Sequence, residues 1–335
     1  MKTLLTMADM AARRGTDKEI GLVQQIVNYS PEITTIMGRT VPGTFATAKV
    51  QIGIPKSGAF RAVNQGVLTS AGTYEKRRFN AFFFDAQLQV DEAELVAAEQ
   101  EGDSLGDLQA DEVAGALMNK AILFSQQFYA GTSVDPQGFP GLLTLLQTFN
   151  GGDGKGGVVD SRTGKSIVNY VNANPGSTNP ACEAVWYVWC HPQGVHFLFG
   201  GNKTIDVNPW VWQYMSDPKT PGARLRASVT NISGWIGLAA AHPFCVSCIK
   251  NIDQQHPWTD ALSTQLHALL PMGITPSHVF ATKRAIAGLQ ASRTVTLFGQ
   301  GTHRPNQPLV APTPIVDVMG VPIIATDGIQ QGAAF

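Results

Sequence analysis

The chain has 335 residues, 44% hydrophobic and only 15% charged, with 24 basic and 25 acidic side chains and a formal net charge of −1. The length allows one large domain or two, and the charge fraction lies well below the roughly 25% of an average soluble protein. The balance excludes the long basic stripe of a dedicated nucleic-acid binder, and apolar runs such as Trp235–Ala241 fall far short of the ~20 residues that span a bilayer.

Residues 7–29 read as a short helix, a break at Gly15 and a second helix with Asp17 as N-cap and Ile20, Val23, Ile26 and Val27 on one face. From residue 39 the character changes. Val50, Ile52 and Ile54 alternate with Gln51 and Gly53, the period of a half-buried strand. A second extended run goes from Phe79 to Val90, so the two form a long two-stranded arm across a polar, glycine-rich connection. An isolated pair of strands is barely stable in water, so such an arm is expected to lie on something else. Residues 107–129 give the clearest helix, with Val113, Leu117, Phe124 and Phe128 in one row and Gly131 as its stop. At ~1.5 Å per residue it is roughly 35 Å long, the length of a spine.

The second half is β-rich and aromatic. Residues 184–190, AVWYVWC, read as a buried strand, and residues 194–199 as its hairpin partner across His-Pro-Gln. PFCVSCIKNI, residues 243–252, reads as a strand, and residues 258–270 and 276–291 as helices. Residues 300–314 form a proline-rich linker, and Ile315–Ile324 a strand bent or placed at an edge by Gly320 and Pro322. The class is α+β, without internal repeats.

Motifs of chemistry fail their context tests. GGDGKGGVVDSRTGKS, residues 151–166, ends in Gly164-Lys165-Ser166, the close of a phosphate-binding loop, yet the first glycine of that motif falls on Val159. A glycine-rich stretch precedes it where a buried strand belongs, and a β-branched stretch meeting Pro175 comes after it where a helix belongs. It reads as a surface loop. Cys245-x-x-Cys248 resembles half a zinc site, but no second such pair exists, and positions three apart on a strand face opposite sides. With Cys182 and Cys190 they read as structural thiols. His191, His242 and His256 each precede proline, and His196, His267, His278 and His303 are scattered. Paired carboxylates such as Asp91-Glu92 and Asp111-Glu112 suit helix starts. No serine-nucleophile elbow or His-Glu-x-x-His appears. The expectation is no enzyme, with no catalytic, cofactor-binding or metal-binding residue and no cofactor. Nothing at residues 1–12 resembles a signal peptide, so synthesis in the cytoplasm is expected.

The charge balance is −4 up to Glu183 (15 basic, 19 acidic) and +3 after it (9 basic, 6 acidic). Its short basic clusters, Lys76-Arg77-Arg78 and Arg224 with Arg226, read as solvated charge. Interface cores are depleted in charge, so a chain this poorly charged points to surface hidden against other copies.

Stretches along nearly the whole chain carry a resemblance. They include IGIPKSGAFRAVNQGV at 52–67, LQVDEAEL at 88–95, FYAGTSVDPQGFPGL at 128–142, SIVNYV at 166–171, VWYVWCHPQGVHFLFG at 185–200, CIKNID at 248–253, SHVFATKRAIAGL at 277–289 and MGVPIIATDGI at 319–329. In that order and spacing the sequence resembles the major capsid proteins of short-tailed double-stranded DNA bacteriophages. The resemblance implies a Hong Kong 97-type capsid fold. By it, 1–38 is the N-terminal arm, 39–90 the extended loop and 91–139 a peripheral domain with spine helix 107–129. Residues 140–300 are mainly an axial domain, and 301–335 a linker and C-terminal strand. It further implies a structural subunit of an icosahedral head, self-assembling into hexamers and pentamers around packaged DNA and located in the virion. The implied partners are itself, decoration, scaffolding and portal proteins, and non-specific contact with DNA, with no membrane. The alternatives are another virion structural or adhesion protein, which would show repeated β units, and an enzyme with an unrecognised site.

Overall fold

The computed structural model describes residues 30–55, 60–66, 69–100, 105–150, 167–175, 182–216, 222–299 and 315–331. In chain order the first half gives α1 (Glu32–Thr35), β1 (Gly38–Thr40), β2 (Phe45–Gly53), β3 (Thr73–Asn80), β4 (Phe82–Asp91), α2 (Glu92–Gln100), α3 (Leu105–Ala130) and α4 (Leu142–Asn150). The second gives β5 (Tyr170–Asn172), β6 (Glu183–Val188), β7 (Val195–Phe199), β8 (Asp206–Val207), β9 (Val211–Ser216), β10 (Arg224–Ala240) and β11 (Val246–Ile252), then α5 (Asp260–Leu269), β12 (His278–Ala281), α6 (Lys283–Gly299), β13 (Asp317–Val318) and β14 (Val321–Ala325).

Two six-stranded sheets and one two-stranded sheet result. The first is ordered β1-β7-β10-β4, with β8 and β9 also on β10. Strand β10 organises it: 17 residues long, it pairs with β4 along one edge and with β9, β8 and β7 in turn along the other. The second sheet runs β13-β14-β12-β6-β11-β5. The third is β2 with β3 alone, the arm.

Strand β6 shows why its sequence is continuously apolar. All six of its residues are buried. Ala184, Trp186 and Val188 face one core, shared with α3, α4, β7 and β10, while Val185 and Tyr187 face a second core under α5 and α6. A strand covered on both faces has no polar side to alternate with. In the first core Phe128 sits at 0% exposure, with ring contacts to Tyr129, Phe197 and Phe280 at centroid distances of 5.0 to 6.1 Å. In the second, Tyr187 Oη and Trp258 Nε1 both donate to Ser263 Oγ at 2.9 Å, so the two aromatic polar atoms are satisfied by one buried hydroxyl.

The spine is present as α3, 26 residues long and therefore about 39 Å. It ends at Gly131, whose φ of +63° is the left-handed stop expected there. From Gln109 onward only its C-terminal turns, Phe124 to Ala130, are buried apart from Gln126; Leu117, expected on the apolar row, is 41% exposed. Buried Gln127 fixes the next turn: its Nε2 donates to Phe139 O at 2.7 Å and Asp135 O at 3.2 Å, and its Oε1 accepts from Asp135 N at 3.1 Å.

Four expectations are corrected. The second arm strand is β3, not the run 79–90; Phe82–Asp91 is β4 and belongs to the first sheet, since its aromatic residues have β10 to pack on. Strands β6 and β7 form no hairpin: they enter different sheets, joined only by a bridge between Cys190 and Val195, because each is buried enough to need a sheet interior. The helix expected from 276 starts at Lys283; residues 278–281 are β12, whose Val279 and Phe280 alternate between the two cores. The final strand is a hairpin, β13 to β14, turning at Met319 (φ +52°) and Gly320 (φ +78°), the two left-handed positions of a tight type I′ turn. The helices expected in 7–29 and the linker 300–314 lie outside the described residues.

Candidate functional site

The arm leaves the body at its base. Ala81 N donates to Thr44 O at 2.8 Å, and Arg77 Nη1 donates to Ala241 O at 2.9 Å while its guanidinium lies 5.7 Å from the Phe149 ring. Beyond that anchor the strands pair only with each other, from Phe45↔Asn80 to Gly53↔Thr73. Their side chains are largely in solvent: Ile52 is 41% exposed, Ile54 69% and Tyr74 54%, and towards the tip Phe60 and Val63 are almost wholly so. Cations cover some of this apolar surface, with Arg78 4.0 Å over the Phe45 ring and Lys49 4.3 Å over Tyr74. Lys49 and Lys76 stand directly opposite each other, a like-charge pair that weakens the ribbon. An element with this much uncovered apolar side chain and so few contacts to its own body is built to be covered.

A second apolar surface lies on the first sheet. Val211, Trp212 and Tyr214 of β9 are 42 to 71% exposed, and Arg226 stacks 4.9 Å from the Trp212 ring while pairing with Glu92 of α2 at 2.5 Å. A small cavity of about 70 Å³ lies between β4 and the C-terminal turns of α3, lined by Phe82, Phe84, Phe124, Phe139 and Ile236 with Gln127 at its edge.

The motif residues do not converge. Gly164-Lys165-Ser166 lies outside the described residues, and the segment after it, Ile167–Asn169 and then β5, is not a helix. Cys245 sits in the turn before β11 and Cys248 within it, so their side chains do not take opposite sides of one strand; both pack in the first core. Burial pushes the Cys190 thiol up to about 11 and the Cys248 thiol up to about 12, and Cys245 higher still, so all three are thiols at neutral pH. His191 stacks on Trp189, His242 meets the same ring edge-on, and His256 pairs with Asp253 at 3.1 Å. Asp91 caps α2, its Oδ1 accepting from Ala93 N at 3.2 Å. Among the described residues no three His, Cys, Asp or Glu gather as metal ligands, and no helix is long and apolar enough to cross a membrane.

One buried polar cluster escaped sequence reading. Glu32, 0% exposed, accepts through Oε1 from Tyr129 Oη at 2.7 Å and from Thr326 Oγ1, tying the start of the described chain, the spine and the C-terminal segment together. Burial, and the Glu32 carboxylate beside it, hold the Tyr129 hydroxyl well above its ordinary value. Only a carboxylate opening a four-residue helix marked this point in the sequence.

The structure is thus an α+β protein of two sheets sharing a long helix, with a projecting two-stranded arm. No protein family and no curated protein match its sequence. Among solved structures it is similar to the bacteriophage Epsilon15 structure, with a TM-score of 0.69 at 18% identity, over 99% of this chain and 98% of that one. It also matches the bacteriophage JBD30 capsid at a TM-score of 0.49 and 11% identity (97% and 99% covered). Mycobacterium phage Adephagia gives 0.45 at 9% identity (73% and 97%). In its described residues the chain shares its fold with that Epsilon15 structure.

Proposed function

We propose that this chain is the structural subunit of an icosahedral bacteriophage head, assembling with copies of itself into hexamers and pentamers around double-stranded DNA and residing in the virion. The observation that carries the reading is the projecting arm: a ribbon with Ile52, Ile54, Phe60 and Val63 uncovered and only its base anchored, on a fold matched to the Epsilon15 structure over nearly its full length. Closed rings need head-to-tail contacts, in which one patch of a subunit meets a different patch of the next, and a projecting arm supplies the first patch. The charge fraction of 15% fits large interfaces. The role requires no catalysis.

Analytical ultracentrifugation of the purified chain, with negative-stain microscopy of the same sample, tests the reading. Closed particles or discrete pentamers and hexamers are expected. A monomer at every concentration, also when supplied with the remaining structural proteins of its virion, overturns it.

A further inference from the structure

The first core does not close completely at the root of the arm. The cavity of about 70 Å³ there has the start of β4 on one side and the C-terminal turns of α3 on the other. Ile236 of β10 and the loop ahead of α4 make its remaining walls. The side chains around it are committed elsewhere. Phe124 meets Phe84 edge-on at 4.9 Å, and Phe139 meets Phe197 edge-on at 6.3 Å. Phe124, Phe139 and Ile236 are buried, so none can turn inward without vacating a packed position. At Gly138 the loop offers no side chain, and an added Cβ would meet Gln127 Nε2 at 2.5 Å.

Water has little to hold it in this space. A buried water needs two to four polar partners, and the polar atoms of this wall are already used. Gln127 donates to Asp135 O and Phe139 O and accepts from Asp135 N. Gly138 N donates to Asp135 O at 3.0 Å, and Asp135 Oδ1 accepts from Gln137 N at 2.9 Å. Among the described residues, none of the buried side-chain polar atoms that lack a partner belongs to the lining. The space is apolar, bounded, and reached past half-buried Asp135 and exposed Gln137.

We infer that this cavity binds a small neutral molecule without hydrogen-bonding groups, such as xenon, a short alkane or a halomethane, and that the occupant braces the root of the arm. The size limit follows from comparison: an apolar cavity of roughly 150 Å³ admits benzene, so one of about 70 Å³ admits molecules smaller than a ring. Neutrality follows from the lining, since a charge or an unpaired polar group would lose its water and gain no partner inside. Binding is favourable because side chains that face a void lack dispersion contacts on that side, and an occupant restores them. The bracing follows from position. Phe82 lies two residues after Asn80, the end of the arm, and Leu123 and Phe124 lie on the spine. A molecule between them ties one to the other. This binding is independent of the shell reading.

The test uses the full chain, with xenon and benzene as probes. In xenon-saturated buffer, amide exchange read by mass spectrometry is expected to slow about threefold at residues 82–84 and 134–139, the factor for a ligand at twice its Kd. The xenon chemical shift is expected to move with protein concentration. Leu123→Phe places a ring in the cavity from a half-buried position, and is expected to abolish both effects with an unchanged circular dichroism spectrum. Leu123→Ala enlarges the cavity towards the size that admits benzene. Benzene is expected to raise the melting temperature of that variant and leave the parent's unchanged. Xenon effects equal in the parent and Leu123→Phe, protection confined to other segments, benzene acting alike on the parent and Leu123→Ala, or no effect of either probe overturns the inference.

Discussion

Two glycines at the end of the spine show how little freedom single positions have. Gly131 combines φ +63° with contact so close that a Cβ would meet Gly141 N at 2.4 Å, and a Cβ on Gly141 would meet Gln127 O and Gly131 N at 2.5 Å. Neither neighbour is a flexible side chain, so the backbone itself must move. Gly131→Ala and Gly141→Ala are each expected to cost more than about 2 kcal/mol in urea unfolding, strain and overpacking adding at the first. The histidines set the pH response. Burial holds His196, His242, His267 and His278 below the ordinary 6.5; it acts alone at His267 and His278, while at His196, 5% exposed with its Nδ1 unbonded, the Arg39 charge adds to it and backbone hydrogen bonds oppose it. Because the folded value lies below the unfolded one, the unfolded chain binds more protons below about pH 6.5. Stability is therefore full above that point and lost as pH falls through the folded values. Urea midpoints are expected to drop from pH 7 to 5, and less steeply in His196→Gln; a midpoint rising over that range contradicts the assignment.

Elements divide by what a local pattern can encode. The spine helix was legible because Phe124 and Phe128 follow the helical period and Gly131 ends it. A strand around Val50 was legible too, although the alternation expected through Ile52 and Ile54 breaks at the irregular Gln51/Gly53 pairing and leaves both isoleucines exposed; so was the absence of a helix after Lys165-Ser166. Strand partners were not. Nothing in AVWYVWC says that its neighbours are β11 and β12 rather than the next strand, because two-sided burial erases the period that assigns a face. Nor does a run of three phenylalanines at 82–84 say where an arm stops and a sheet begins. SHVFA reads as helix by spacing, and only the β14 and β6 edges on either side make it a strand. The arm itself is expected to be dispensable for folding. Ala46 and Phe79 are paired, so replacing residues 47–78 by Asn-Gly closes the base with a two-residue hairpin. Thermal unfolding of that variant is expected only a few degrees below the parent, the cost of losing Arg77 from Ala241 O and the Phe149 ring, because Ala46 and Phe79, the arm residues packed on the small core beneath them, are kept, while assembly is lost. In the last hairpin, Met319 holds φ +52° with an L side chain, and Met319→Gly is expected to stabilise by about 0.5–1 kcal/mol by relieving that conformation.

At the scale of the molecule, folding and association draw on different forces. The body rests on two apolar cores in which β6 serves both, and of the ion pairs between described residues only Arg284–Glu183 involves a fully buried carboxylate. Exposed pairs such as Lys203–Asp206 contribute little, ~0–1 kcal/mol each. Salt therefore has almost nothing to screen inside a subunit. In the proposed assembly it has the charge of the arm, +5 over residues 45–80, and of residues 81–119, −10, and the screening length shrinks from about 10 Å at 0.1 M to about 3 Å at 1 M. Raising sodium chloride from 0.1 to 1 M is expected to slow assembly, monitored by light scattering, by at least tenfold, while the melting temperature of the dissociated subunit moves by no more than two or three degrees. Sodium sulfate at matched ionic strength separates the two forces further, since it screens charge equally but strengthens apolar burial. Assembly faster in sulfate than in chloride assigns part of the contact to Ile52, Tyr74 and Phe60. Equal slowing assigns it to charge alone. Assembly indifferent to both salts would take the subunit contact away from the charged arm.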